Sequence, residues 1–239
     1  MSTIKGMPRV LVIAQTSNAL GFVFKQTRMV FDQTPVVVAL PSYNAFAILQ
    51  SRLHLEWVLL FSATMKDDRR YLPSDCFETF PFPPDWENHA MLEREGKECY
   101  ECRADLMVHN NEGLTATGNR FHNPDERSPE IINLRELHDA MDRAVLHAYG
   151  WTDLKPTCEF ILDYEEENDD GKPSRKKKPW RYRWPDEFRD EVLARLLGLN
   201  QERAAEENAM ALNSESPKTR LTKGAKRRSS SGGAGSLFD

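Results

Sequence analysis

No run in the 239 residues approaches 18 consecutive apolar positions, and 29% of the chain is charged, so a membrane-spanning helix is not expected. The N-terminus, MSTIKGMPRV, has neither the apolar core nor the flanks of a signal peptide, and a cytoplasmic chain is the expectation. Cysteine is scarce: Cys76, Cys99, Cys102 and Cys158 are too few for a disulfide framework in a chain this long and suit a reducing compartment. Cys99 and Cys102 form a single CxxC with no second half, so no metal site is expected. A phosphate loop is also missing. The spacing Gly113-x-x-x-x-Gly118 lacks the Lys-Ser/Thr that grips a nucleotide, and no strong strand precedes it. Nor is there an excess of positive charge. A net charge of -5 argues against wholesale wrapping of nucleic acid, although it hides local basic patches.

What is present divides by period. The 40% apolar content is enough for one large or two small cores. Arg9 to Thr16, Leu20 to Thr27 and Thr34 to Leu40 are short runs rich in Val, Ile and Phe. Asn18 and Asp32-Gln33 punctuate them as turns, which predicts a small, mostly antiparallel sheet. From Tyr43 the period changes: Phe46, Leu49, Leu53, Trp57 and Leu60 recur every three or four residues, predicting one helix on the sheet. Gln50, Arg52, His54 and Glu56 are its polar members, with His54 read as a surface or capped-core residue rather than a base. A compact charged loop, Met65 to Tyr71, follows. It leads into YLPSDCFETFPFPP (Tyr71 to Pro84), where prolines remove donors and fix φ while Phe77, Phe80 and Phe82 need a surface. That segment predicts an extended, pinned clasp between two packed layers.

Downstream the pattern turns helical. Asp85 to Asn110 predicts a helix, Gly113 to Pro124 a loop, and Asn133 to Tyr149 the best helix in the chain, with Leu134, Leu137, Met141 and Ala148 on one stripe and Gly150 as its stop. His138 and Asp142 are four apart on another face, near enough to hydrogen-bond. No serine or cysteine is marked as a nucleophile for them, so a structural bond is the simpler reading and a catalytic pair the alternative. Asp163 to Arg183 swings from acid to base and predicts a mobile loop carrying Lys176, Lys177 and Lys178, with Trp180, Tyr182 and Trp184 interleaved. A last helix starts at Pro185, and residues 209–239 predict a disordered basic tail. The fold class is therefore α+β: residues 1–84 a sheet-and-helix part ending in the clasp, 85–208 a helical segment with a charged loop at 163–183, and then the tail.

Five strings in order, LQSRLHLEW, RRYLPSDCFETFPFP, NEGLTATGNRFHNP, LRELHDAMDRAVLHAYGW and RLLGLNQERAAEE, closely resemble the C-terminal region of MmeI-like adenine-specific DNA methyltransferases. These are the fused restriction and modification enzymes and their relatives in phage-defence systems, and the resemblance spans roughly residues 9 to 208. It implies a target-recognition part that grips double-stranded DNA and chooses its sequence. The upstream domain of such enzymes binds S-adenosylmethionine and methylates adenine. The Gly-rich cofactor loop and the (Asn/Asp)-Pro-Pro-(Tyr/Phe) loop of that domain are missing here, and the nearest string, Asn123-Pro124-Asp125-Glu126, lacks the second proline and the aromatic.

The resemblance thus implies a recognition portion without catalytic residues or cofactor of its own, working with a separately encoded methyltransferase or left by a split or truncated gene. Lys25, Arg28, Lys66, Arg69, Arg70, Lys176, Lys177 and Lys178 are the candidate DNA contacts. Arg69 and Arg70, on a short loop that the clasp should hold still, are the candidate readers of guanine. Two other classes stay open: a helical protein-interaction module without DNA binding, and an enzyme using His138 and Asp142.

Overall fold

The structure, a computed structural model, describes residues 4–16, 20–29, 31, 34–62, 64–65, 68–162 and 179–214, with the side chains at 64–65, 68–69 and 211–214 outside that description. Met1–Gln201 form one compact unit and Glu202–Asp239 a second. The fold is α+β, built from small antiparallel sheets and helices.

The three apolar runs form one sheet, with β1 (Arg9–Ala14) between β2 (Val23–Gln26) and β3 (Pro35–Val38), both antiparallel to it. Val10, Leu11, Val12 and Ile13 are all buried, as befits a central strand covered on both faces. Proline opens the edge strand β3, where its missing N–H breaks no ladder bond. On the other edge, side chains meet the outer backbone groups: Phe22 N–H donates to Gln50 Oε1 at 3.0 Å and Phe24 N–H to the Tyr100 hydroxyl at 3.2 Å. Both bonds deny that edge to a foreign strand. The expected turn residues Asn18, Asp32 and Gln33 lie outside the described residues.

The single helix expected from Tyr43 is two helices, α1 (Tyr43–Gln50) and α2 (Arg52–Phe61), broken at Ser51. Ser51 is extended and fully buried. Its N–H donates to the carbonyls of Ala47 and Ile48, and its Oγ accepts from His54 N–H, so one residue closes one helix and caps the next. The polar members of this stretch all turn inward: Gln50, Arg52, His54 and Glu56 are buried. Burial on this scale requires partners. Gln50 Nε2 donates to Leu20 O at 3.0 Å, and the partners of Arg52 and His54 are described below.

The clasp packs as its aromatics require. Phe80 stands edge-on to His54 and Trp57, Trp57 Nε1 donates to Thr79 Oγ1, Tyr149 Oη donates to Pro81 O, and Asn200 Nδ2 donates to Thr79 O. It is not wholly extended. A single π-helical turn, Pro73–Phe77, interrupts it, with proline where no backbone donor is needed.

Beyond a short 3₁₀ turn at Trp86–Asn88 come α3 (Ala90–His109), α4 (Leu114–Phe121) and α5 (Pro129–Ala148). Helix α4 occupies the expected Gly113 to Pro124 loop. Thr117 and Phe121, four apart, bury one face, and Arg135 of α5 donates to the carbonyls of Arg120, Phe121, Asn123 and Glu126 that the helix end leaves free. Pro129 starts α5 earlier than its apolar stripe suggests, and Gly150 ends it with φ +78°.

Glu159–Leu162 (β6) and Trp180–Arg183 (β7) pair antiparallel, so the C-terminal end of the expected mobile loop is a strand. Residues 163–178, with the remainder of that loop, lie outside the described residues. Helix α6 (Asp186–Ser214) buries Val192 and Leu196 and continues through residues expected to open the tail. Among the described residues, no helix is long and apolar enough to cross a membrane.

Candidate nucleic-acid interface

The charged loop after α2 is a minimal hairpin. Thr64–Met65 (β4) pairs with Asp68–Arg69 (β5), Thr64 opposite Arg69. The next residues tie its stem to the end of β1: Arg70 bridges Thr16, and Tyr71 N–H donates to Gln15 O at 2.8 Å. Tyr71 then runs into the core, where it stands edge-on to Phe22 and its hydroxyl pairs with His54 Nε2 at 3.1 Å. Burial pushes His54 down to about 3, so its ring is neutral and serves as a hydrogen-bonding wedge rather than as a charge. Arg70, exposed at the foot of the hairpin, is therefore carried on a backbone pinned from below.

Among the described residues, the predicted contacts do not form one cluster. Lys25 lies opposite Val10 near the start of β1, Arg28 is in the turn after β2, and both are exposed. Arg70 is at the other end, opposite Thr16. At about 3.4 Å per residue, the six steps from Val10 to Thr16 separate the two groups by roughly 20 Å. Arg69 has its backbone in β5, with its side chain outside the description. Lys66, Lys176, Lys177 and Lys178 lie outside the described residues.

His138 and Asp142 are not a relay. Asp142 is fully buried, and its carboxylate accepts from Arg52 N–H at 2.9 Å and from Arg52 Nη1 at 2.6 Å. Arg52 Nη1 also donates to Asp139, whose other oxygen accepts from the Tyr182 hydroxyl at 2.8 Å. Burial acts against the Arg52 charge, but Asp142 foremost and Asp139 behind it hold its pKa above the ordinary arginine value. His138 Nδ1 has no partner, and burial first, then Arg52 and Arg103, put its pKa well below the usual histidine range. With its carboxylate committed elsewhere, the pair lacks the contact through which an acid would orient a base. Cys99 is buried, Cys102 Sγ accepts from Asn133, and among the described residues no group of His, Cys, Asp and Glu is arranged to hold a metal.

Arg103, Arg181 and Arg183 belong to no predicted contact set, yet all three line one cavity. Their signal was weak: Arg103 is one charge among many on α3, and Arg181 and Arg183 were absorbed into the charged run.

Residues 7–84 match the family of the MmeI target recognition domain. They resemble an MmeI-type target recognition domain. The match takes in the sheet, α1, α2, the hairpin and the whole clasp. The fold likeness reaches further: the solved structure of the type IIL restriction-modification enzyme MmeI in complex with DNA is similar over 84% of this chain and 22% of its own, with a TM-score of 0.50 and 17% identity. DNA methyltransferase A of Bacillus subtilis (strain 168) is 30% identical over 103 residues, 43% of this chain and 10% of that protein. The chain thus spans about a tenth of the curated relative and about a fifth of the solved one.

Proposed function

We propose that this chain is the sequence-reading portion of an adenine-specific DNA methyltransferase of a restriction-modification system acting in phage defence in the cytoplasm. In this reading it binds double-stranded DNA and works with a methyltransferase domain supplied by another chain. The family match over residues 7–84 carries the proposal, and the solved relative's complex with DNA supports it. The geometry suits the task. A pinned hairpin foot presents Arg70, while Lys25 and Arg28 sit roughly 20 Å away, a separation of about six base pairs along a duplex. Two such contact points on a rigid sheet can set the register of a duplex, and an arginine on fixed backbone can read a guanine edge.

The test separates reading from attraction. Arg70→Ala, in the chain combined with its catalytic partner, is expected to remove about 1 to 3 kcal/mol of discrimination at one base position. Lys25→Ala with Arg28→Ala is expected to weaken binding to all duplexes alike and to flatten the salt dependence. Fluorescence anisotropy across a panel of single-base variants measures both. Equal loss for every sequence in Arg70→Ala removes that residue as a reader.

A further inference from the structure

A cavity of about 170 Å³ opens among α2, α4, α5 and β7, and none of the described residues assigned above to DNA lines it. Its walls mix Leu55, Leu59 and Leu114 with Arg52, Arg103 and the buried Glu56, which already has a partner, a combination that neither water nor hydrocarbon satisfies alone. Arg52 arrives with its charge matched by Asp142 and Asp139. Arg103 does not. Its Nη1 donates to Gln50 Oε1 and its Nη2 to Phe22 O, both neutral, and among the described residues no carboxylate pairs with it. Its guanidinium lies 5.2 Å from the Phe46 ring centre, and burial pulls its pKa down. A partly buried cation without a counter-ion is costly, and a bound anion relieves that cost.

Three further polar atoms of the lining residues have no partner: Arg52 Nη2, Thr117 Oγ1 and His138 Nδ1. Arg52 and Thr117 are only 3% and 2% exposed, so solvent does not compensate for the missing bonds. Arg181 and Arg183 complete the lining with two more cations. Both already have partners, so they add field rather than a vacant donor.

We infer that this cavity binds a small organic carboxylate whose apolar body is about the size of a six-membered ring. A planar two-oxygen anion matches the planar fork of a guanidinium better than a point charge does. The leucines require the apolar body, and a cavity of about 150 Å³ lined by such residues is known to take benzene. An inorganic ion would leave the leucine surface wet. Occupancy of the cavity does not depend on DNA binding.

Sodium benzoate, benzamide and inorganic phosphate serve as probes, titrated into the full-length chain by calorimetry. Benzoate is expected to bind at one saturable site, with benzamide at least about tenfold weaker for want of the charge-assisted bond and phosphate failing to compete. Gly118 also lines the cavity, and a Cβ there meets no heavy atom within 4 Å. Gly118→Phe should therefore fill the space and abolish benzoate binding, while Gly118→Ala should retain it. Equal binding of benzoate and benzamide, competition by phosphate, binding that survives Gly118→Phe, or a folded chain that binds none of the probes, leaving only a hydrated cavity, would each overturn the inference. Should Gly118→Phe fail to fold, the benzoate to benzamide ratio on the unaltered chain decides by itself.

Discussion

At the scale of single residues, His54 sets a pH dependence. Its folded pKa of about 3 lies below the value near 6.5 that the unfolded chain recovers. Between those values the unfolded state binds the proton and the folded state does not, so stability falls as pH drops through this window and is level above it. From pH 7 to pH 5, His54 is expected to remove roughly 2 kcal/mol. His138, also lowered, adds a loss of the same sign. Urea unfolding at the two pH values measures the sum. The double variant His54→Phe, Tyr71→Phe removes the buried pair together, leaving no widowed hydroxyl, and should lose about 2 kcal/mol less than the natural chain across the interval. An identical loss in both proteins would mean that His54 is charged in the folded state, against the burial that surrounds it.

At the scale of elements, two glycines separate close packing from helix propensity. Gly96 lies where α3 crosses α1, and a Cβ there would run into the Tyr43 carbonyl oxygen and come within 3.0 Å of Ala47 Cβ. Helix α1 is buried along nearly its whole length and cannot give way, so Gly96→Ala should destabilise by about 2 kcal/mol despite alanine's better propensity. Gly118, on the open side of α4, should do the reverse: Gly118→Ala is expected to stabilise by up to about 1 kcal/mol. Denaturant midpoints that move in the same direction for both variants would show that the crossing does not select glycine.

The same elements show what periodicity can and cannot convey. The three strands were legible as short runs of Val, Ile and Phe between turn residues, and α5 because it buries one face at helical spacing. The break at Ser51 was not, because the apolar spacing continues across it, and with the break went the fate of Gln50, Arg52, His54 and Glu56. Helix α4 read as a loop because Gly, Asn and Thr dominate it. What holds it is Arg135, which belongs to another helix. Strand β7 was hidden inside a run of charge. The charged hairpin beside the clasp was visible as a candidate, but its distance from Lys25 and Arg28 follows from strand register, which composition does not carry. Asp142 illustrates the limit most clearly: the near neighbour His138 suggested itself by spacing, yet the partner it binds, Arg52, is 90 positions away.

For the molecule as a whole, methyl transfer sets the requirements. Amino-methylation of adenine needs a loop that holds the cofactor and a loop that receives the flipped base's amino group, and the 239 residues contain neither pattern. The chain matches about a fifth of the solved relative and a tenth of the curated one, so most of what those proteins contain has no counterpart in it. We therefore predict that the purified chain transfers no labelled methyl group from S-adenosylmethionine to duplex DNA. A separate chain bearing both loops should restore site-specific adenine methylation on mixing. Labelled DNA from the purified chain alone would reveal a catalytic site unlike the family's. If the two folded chains associate but methylate without sequence preference, the hairpin at 64–70 is not the reader. If they neither associate nor methylate, the split-enzyme reading fails and the gene-remnant reading gains, and the DNA affinity of this chain, measured alone, should then show the steep salt dependence and the indifference to sequence of simple phosphate attraction.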